Sequence, residues 1–97
     1  MGTRDPEHLA VHVPEHVVCR EFAEQTVALN LQTGRYHGLN PTAAAMLEAL
    51  RESSTVAAAA ERLAESWDVS ADVLLADIVG LCEQLESRGL VETHAAN

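Results

Sequence analysis

Five histidines and two cysteines are the side chains in this 97-residue sequence best suited to do chemistry. His8, His12 and His16 are spaced by four, so a continuous helix would put three imidazoles on one face and make a weak zinc site. Pro14 lies between the last two and breaks such a helix. No acid or cysteine pair completes the ligand set, so no metal is expected. Cys19 and Cys82 form no metal motif or disulfide framework and are expected as two reduced, half-buried thiols. His37 has no acid or nucleophile near it in sequence to make it a general base. The chain has no Gly-rich phosphate loop, no HExxH and no Ser/His/Asp arrangement. Neither enzymatic activity nor a cofactor is expected.

The chemistry that the sequence does offer is that of an unpaired backbone. Val27, Leu29 and Leu31 alternate with Ala28 and Asn30, the period of a half-buried strand, with Val27, Leu29 and Leu31 as its apolar face. Gln32-Thr33-Gly34 supplies a tight turn. Arg35-Tyr36-His37-Gly38 then forms a short strand, and Asn40-Pro41 caps and opens a helix. A strand so placed lies at a sheet edge, where free N–H and C=O groups can pair with another extended chain. Tyr36 and His37 point to opposite sides of this strand, the phenol suited to an amphipathic contact.

Other elements must hold that edge in place. Residues 1–16 carry charges, three histidines and two prolines without a period and are expected to be a flexible or irregular arm. Val17–Phe22 reads as a first strand and Thr26–Leu31 as a second, joined at Ala23-Glu24-Gln25. The period then becomes helical. One helix starts at Pro41 and buries Ala43, Met46, Leu47 and Leu50. A second, capped by Thr55, buries Val56, Ala59, Ala60 and Leu63. A third, capped by Ser70 with Asp72 in its first turn, runs to about Arg88, where Gly89 stops it. Residues 93–97 are expected to fray.

The third helix carries two apolar seams. Leu74, Ile78, Leu81 and Leu85 make an ordinary core seam. Leu75, Val79 and Cys82 make a second, rotated by about 100°. A doubly covered helix is hard to arrange in so small a domain, so the second seam is expected to floor a groove. Asp72, Glu83 and Glu86 border it and could steer a basic segment.

Fifteen acids against six arginines and no lysine give a formal charge of −9. Such a surface repels a phosphate backbone or an anionic membrane. No targeting or spanning segment is evident, so cytoplasmic residence is the default expectation.

Leu29-Asn30-Leu31-x-Thr33-Gly34-Arg35-Tyr36-x-Gly38-Leu39-Asn40, a helix ending Glu48-Ala49-Leu50, Thr55-Val56 opening the next, and Leu85-x-x-Arg88-Gly89-Leu90-Val91 together resemble the PqqD-like family. These are the recognition domains of ribosomally made, post-translationally modified peptide pathways. The resemblance covers residues 17–92. It implies an α+β, winged-helix-like fold, with a three-stranded antiparallel N-terminal sheet packed on a three-helix bundle. It also implies non-catalytic binding of a precursor's leader segment, added as a strand beside the third strand and against the third helix, and its presentation to a modifying enzyme. The expected peptide contacts are Arg35, Tyr36, His37, Gly38, Leu75, Ile78, Val79, Cys82, Glu83 and Glu86. The Thr-Gly-x-Tyr hairpin and Asn-Pro helix start resemble stand-alone lasso-peptide recognition proteins, whose partner is a leader peptidase. The pyrroloquinoline quinone pathway, with a radical S-adenosylmethionine enzyme as partner, is the alternative. A winged-helix DNA-binding regulator and a homodimer formed through the edge strand are the readings from other classes.

Overall fold

The computed structural model describes residues 8–23 and 25–95. The expectations for residues 1–7, Glu24 and residues 96–97 fall outside these. The chain order is β1 (Leu9–His12), β2 (Val17–Phe22), β3 (Gln25–Asn30), β4 (Tyr36–Leu39), α1 (Pro41–Glu52), α2 (Val56–Trp67), α3 (Ala71–Ser87) and β5 (Glu92–Ala95). β2, β3 and β4 form an antiparallel sheet in that order, packed on three helices as the expected α+β architecture requires. β4 is therefore an edge strand.

Each helix begins where its cap dictates. The side-chain oxygens of Asn40, Thr55 and Ser70 accept from the N–H groups of Ala43, Ala58 and Val73 at 2.8, 3.1 and 3.3 Å. Pro41 occupies the first turn of α1, where its missing donor leaves nothing unmade. Gly89 ends α3 at φ 71°, and the Leu90 N–H reaches back to the Leu85 carbonyl at 2.9 Å. Leu39, Leu50, Val56, Ile78, Leu85 and Leu90 are the large residues at the centre of the core.

Two stretches expected to lack regular structure do form strands. Leu9–His12 pairs antiparallel with Glu92–Ala95, Leu9 opposite Ala95 and His12 opposite Glu92. This ribbon lies along the helices, β1 against α1 and α2, β5 against α3. It half-buries Leu9 and Val11 against the core. Alternating apolar residues at 9 and 11 give the strand a face to bury, and pairing satisfies the backbone.

The face of β3 is the reverse of the one expected. Ala28 and Asn30 are buried, whereas Val27 and Leu29 are half-exposed and Leu31 is exposed. A small side chain fits beneath the helices at Ala28. The Asn30 amide is needed inside: its Oδ1 accepts from the N–H groups of Gln32 and Thr33 at 2.9 and 3.2 Å. Its Nδ2 donates to the Gly89 carbonyl at 3.1 Å. One buried polar side chain thus ties the β3–β4 turn to the end of α3.

Candidate functional site

Residues 30 and 35 form a hydrogen-bonded pair, with the Asn30 N–H donating to the Arg35 carbonyl at 2.8 Å. Antiparallel pairs alternate between bonded and unbonded. Register then makes Ala28–His37 and Thr26–Leu39 the bonded pairs. Tyr36 and Gly38 sit in the intervening positions, so their N–H and C=O groups point away from β3. They are the open edge that the sequence implied, at Arg35-Tyr36-His37-Gly38. Tyr36 and His37 point oppositely as expected: Tyr36 is 69% exposed on the outer face of the sheet, and His37 is half-buried on the helix side.

α3 runs beside this edge. Two concavities outline a cleft along α3, one beside the start of β4 and one beside the start of α1. Gly34, Arg35, Tyr36 and Arg88 line one, at the turn end. Asn40, Thr42, Ala43, Met46, Asp77, Gly80, Leu81 and Gln84 line the other. Asp77, Gly80, Leu81, Gln84 and Arg88 fall within an arc of roughly 100° on the helix. They form one face, turned toward the start of β4 at Arg88 and toward the start of α1 from Asp77 to Gln84.

The seam expected to floor the groove is on the other side. At about 100° per residue, Leu75, Val79, Cys82 and Glu86 centre roughly 180° from Asp77, Gln84 and Arg88. Val79, Cys82, Glu83 and Glu86 instead line a cavity of about 130 Å³ with Leu9, Val56 and Thr93, beneath the β1–β5 ribbon. The Thr93 hydroxyl donates to Glu86 Oε2 at 2.7 Å across its rim. Ile78 is fully buried in the core and touches neither surface. The single groove drawn from sequence is thus two concave surfaces on opposite faces of α3, because the chain's own termini cover the second seam.

Gly80 was not among the expected residues. A glycine in mid-helix costs about 0.5–1 kcal/mol relative to alanine. A Cβ built there meets nothing within 4 Å, so packing does not demand it. Its effect is to lower the wall of the cleft. Asp77, Gln84 and Arg88 carry no apolar period that would mark them in the sequence, because this face is polar.

Electrostatics differ between the two sides. Burial, reinforced by Arg88, holds His37 below its ordinary 6.5. Under the ribbon, burial followed by the Glu86 and Glu83 carboxylates pushes the Cys82 thiol up to about 11. Cys19 is also raised, mainly by burial. Among the described residues, no group of three or more His, Cys, Asp or Glu side chains could hold a metal ion. His12 is in β1 and His16 in the following turn, so no helix aligns them.

Fold and cleft together define a class: a small α+β domain whose short edge strand stands open beside its longest helix. Residues 25–91 match the model of the family described as coenzyme PQQ synthesis protein D (PqqD). The chain belongs to the PqqD family. Its ribbon strands, β1 and β5, lie outside the matched span. Two solved structures share the fold. One is described as TbiB1 in complex with the TbiA(beta) leader peptide, at 23% identity and a TM-score of 0.75, over 87% of this chain and 98% of that one. The other is described as lasso peptide synthetase B1 complexed with the leader peptide, also at 23% and 0.75, over 84% and 96%. No curated protein matches the sequence significantly.

Proposed function

We propose that this chain is a non-catalytic binder of the leader segment of a ribosomally made precursor peptide. The leader adds as a strand to β4 and lies against the Asp77–Arg88 face of α3, which presents it to a modifying enzyme. The observation that carries this is the edge itself: the outward N–H and C=O groups of Tyr36 and Gly38 flank a cleft with a glycine in its helical wall. Support comes from the family, and from the two fold neighbours being complexes with leader peptides. The same neighbours favour a lasso-peptide leader peptidase as the partner enzyme. The family description favours the second reading, a peptide chaperone for a radical S-adenosylmethionine enzyme of the pyrroloquinoline quinone pathway.

Two outward residues offer four backbone bonds, each worth about 0.5–1.5 kcal/mol net. Their sum falls short of the roughly −8 kcal/mol of micromolar binding, before the ordering of a flexible peptide is charged against it. Side chains entering the cleft must therefore supply the remainder and the selectivity. Tethering the leader then raises the local concentration of the rest of the precursor at the enzyme.

The test is a fluorescence anisotropy titration of labelled leader with the wild type and with Gly80→Phe. The phenyl ring fills the cleft without entering the core, so binding is lost while the circular dichroism spectrum stays native. Undiminished binding by a natively folded variant would place the peptide elsewhere.

A further inference from the structure

The cleft is electrically polarised along its length. The chain has six arginines among fifteen acids. Two of them, Arg35 and Arg88, are far apart in sequence yet line the same concavity at the turn end of the cleft. Among the described residues the ion pair is Arg62–Glu52, so neither of these two guanidiniums has a carboxylate within ion-pairing distance. Arg88 has a local reason for its place, since the C-terminus of a helix favours a cation. Arg35, just before β4, has none. Their proximity is also fixed rather than incidental. Asn30 holds the turn through Gln32 and Thr33 and holds the end of α3 through Gly89, so the two elements carrying these charges are tied by one buried side chain. Like charges so held favour an anion between them. At the other end of the cleft stands Asp77.

The geometry points to a carboxylate-reading subsite: Arg35 and Arg88 select a guest peptide with an Asp or Glu side chain at the position that reaches the turn end of the cleft. It rests on strand addition at β4 and names a feature of the peptide. Asp77 and Arg88 are eleven residues apart, about 16 Å along the helix, which an extended peptide covers in roughly five residues. The acidic position is therefore fixed in register, and the residue about five positions away meets Asp77 and is not acidic. The lowered His37 pKa, set first by burial and then by the Arg88 charge, agrees with a guanidinium close to β4. A polyanion such as nucleic acid is not the ligand, since the net charge of −9 repels it beyond the two arginines.

The test is selection of a random dodecapeptide display library on the immobilised full chain. Arg35→Glu and Arg88→Glu are run beside it, with Arg51→Gln, an arginine beside the β1 end, as control. The expected result is enrichment of Asp or Glu at one fixed position. That preference turns to Lys or Arg with the reversal variants and persists with the control. Replacing the acid by its amide in the best peptide weakens binding about tenfold, as for one charge-assisted contact. The same replacement has no further effect on Arg88→Gln, and the acidic peptide loses affinity with added salt where its amide does not. Enriched peptides with no acidic position would overturn the subsite and leave peptide binding standing. Failure of the wild type to enrich any peptide would overturn both.

Discussion

At the scale of single residues, two positions separate binding from stability. Gly80→Ala replaces a mid-helix glycine that meets no neighbour. It raises unfolding free energy by about 0.5–1 kcal/mol, measured by urea denaturation, while lowering peptide affinity because the cleft narrows. A variant more stable and equally tight would show that the glycine has no role in the cleft. Asn30→Ala does the opposite. It leaves the Gly89 carbonyl without its partner and frees the turn, so stability falls by about 1–3 kcal/mol. His37 carries the pH dependence. Its folded pKa is depressed, so below pH 6.5 the unfolded chain binds the proton first and stability declines until the folded pKa is passed. Urea midpoints at pH 7.5 and 5.5 should differ more for the wild type than for His37→Gln. Equal differences would show that His37 contributes nothing. These residues also mark the limit of sequence reading: Tyr36 and Gly38 were legible because strand period and turn chemistry are local. The buried role of Asn30 was not legible, because its three bonds involve a turn and a helix end 59 residues away.

Among the elements, the caps and the strand periods were legible from sequence because each depends on neighbours within four residues, but which face of β3 is buried was not. Asn40, Thr55 and Ser70 cap as their types suggest. The β1–β5 ribbon was not legible. Its strands have four residues each, lie at opposite ends of the chain, and find their register only when the helices bring them together. That ribbon decides which side of α3 is open. It covers Val79 and Cys82 and leaves the Asp77–Arg88 face uncovered. Loosening it has a specific signature. Leu9→Asp puts a charge beside Cys82, Val56 and Val79, so the ribbon lifts and the Cys82 thiol is exposed to alkylation. In the wild type at pH 8, Cys82 reacts slowly, because burial and two carboxylates raise its pKa to about 11. Mass-spectrometric labelling should show faster modification at Cys82 in the variant, with peptide affinity retained. Loss of affinity together with faster labelling would instead place the peptide under the ribbon.

Over the whole molecule, shape and charge act together. The protein measures 34 × 34 × 18 Å, a thickness of about two layers of secondary structure. A helix in so flat a body can present opposite faces to different surroundings, here a covered one and an open one. No helix among the described residues is long and apolar enough to cross a membrane. α3 contains Asp72, Asp77, Glu83 and Glu86 and no basic residue. An electrophoretic mobility assay with duplex DNA should therefore show no retardation at about 0.15 M salt, and a shift that persists there would revive the DNA-binding alternative.

The central claim is that a guest strand completes the sheet at β4, and amide hydrogen exchange reads it residue by residue. In the free protein His37 and Leu39 are already bonded to β3 and exchange slowly, whereas Tyr36 and Gly38 point outward and exchange fast. Saturation with a bound leader peptide should slow Tyr36 and Gly38 and leave the other two unchanged. Fast exchange at Tyr36 and Gly38 in the saturated complex would contradict strand addition at this edge.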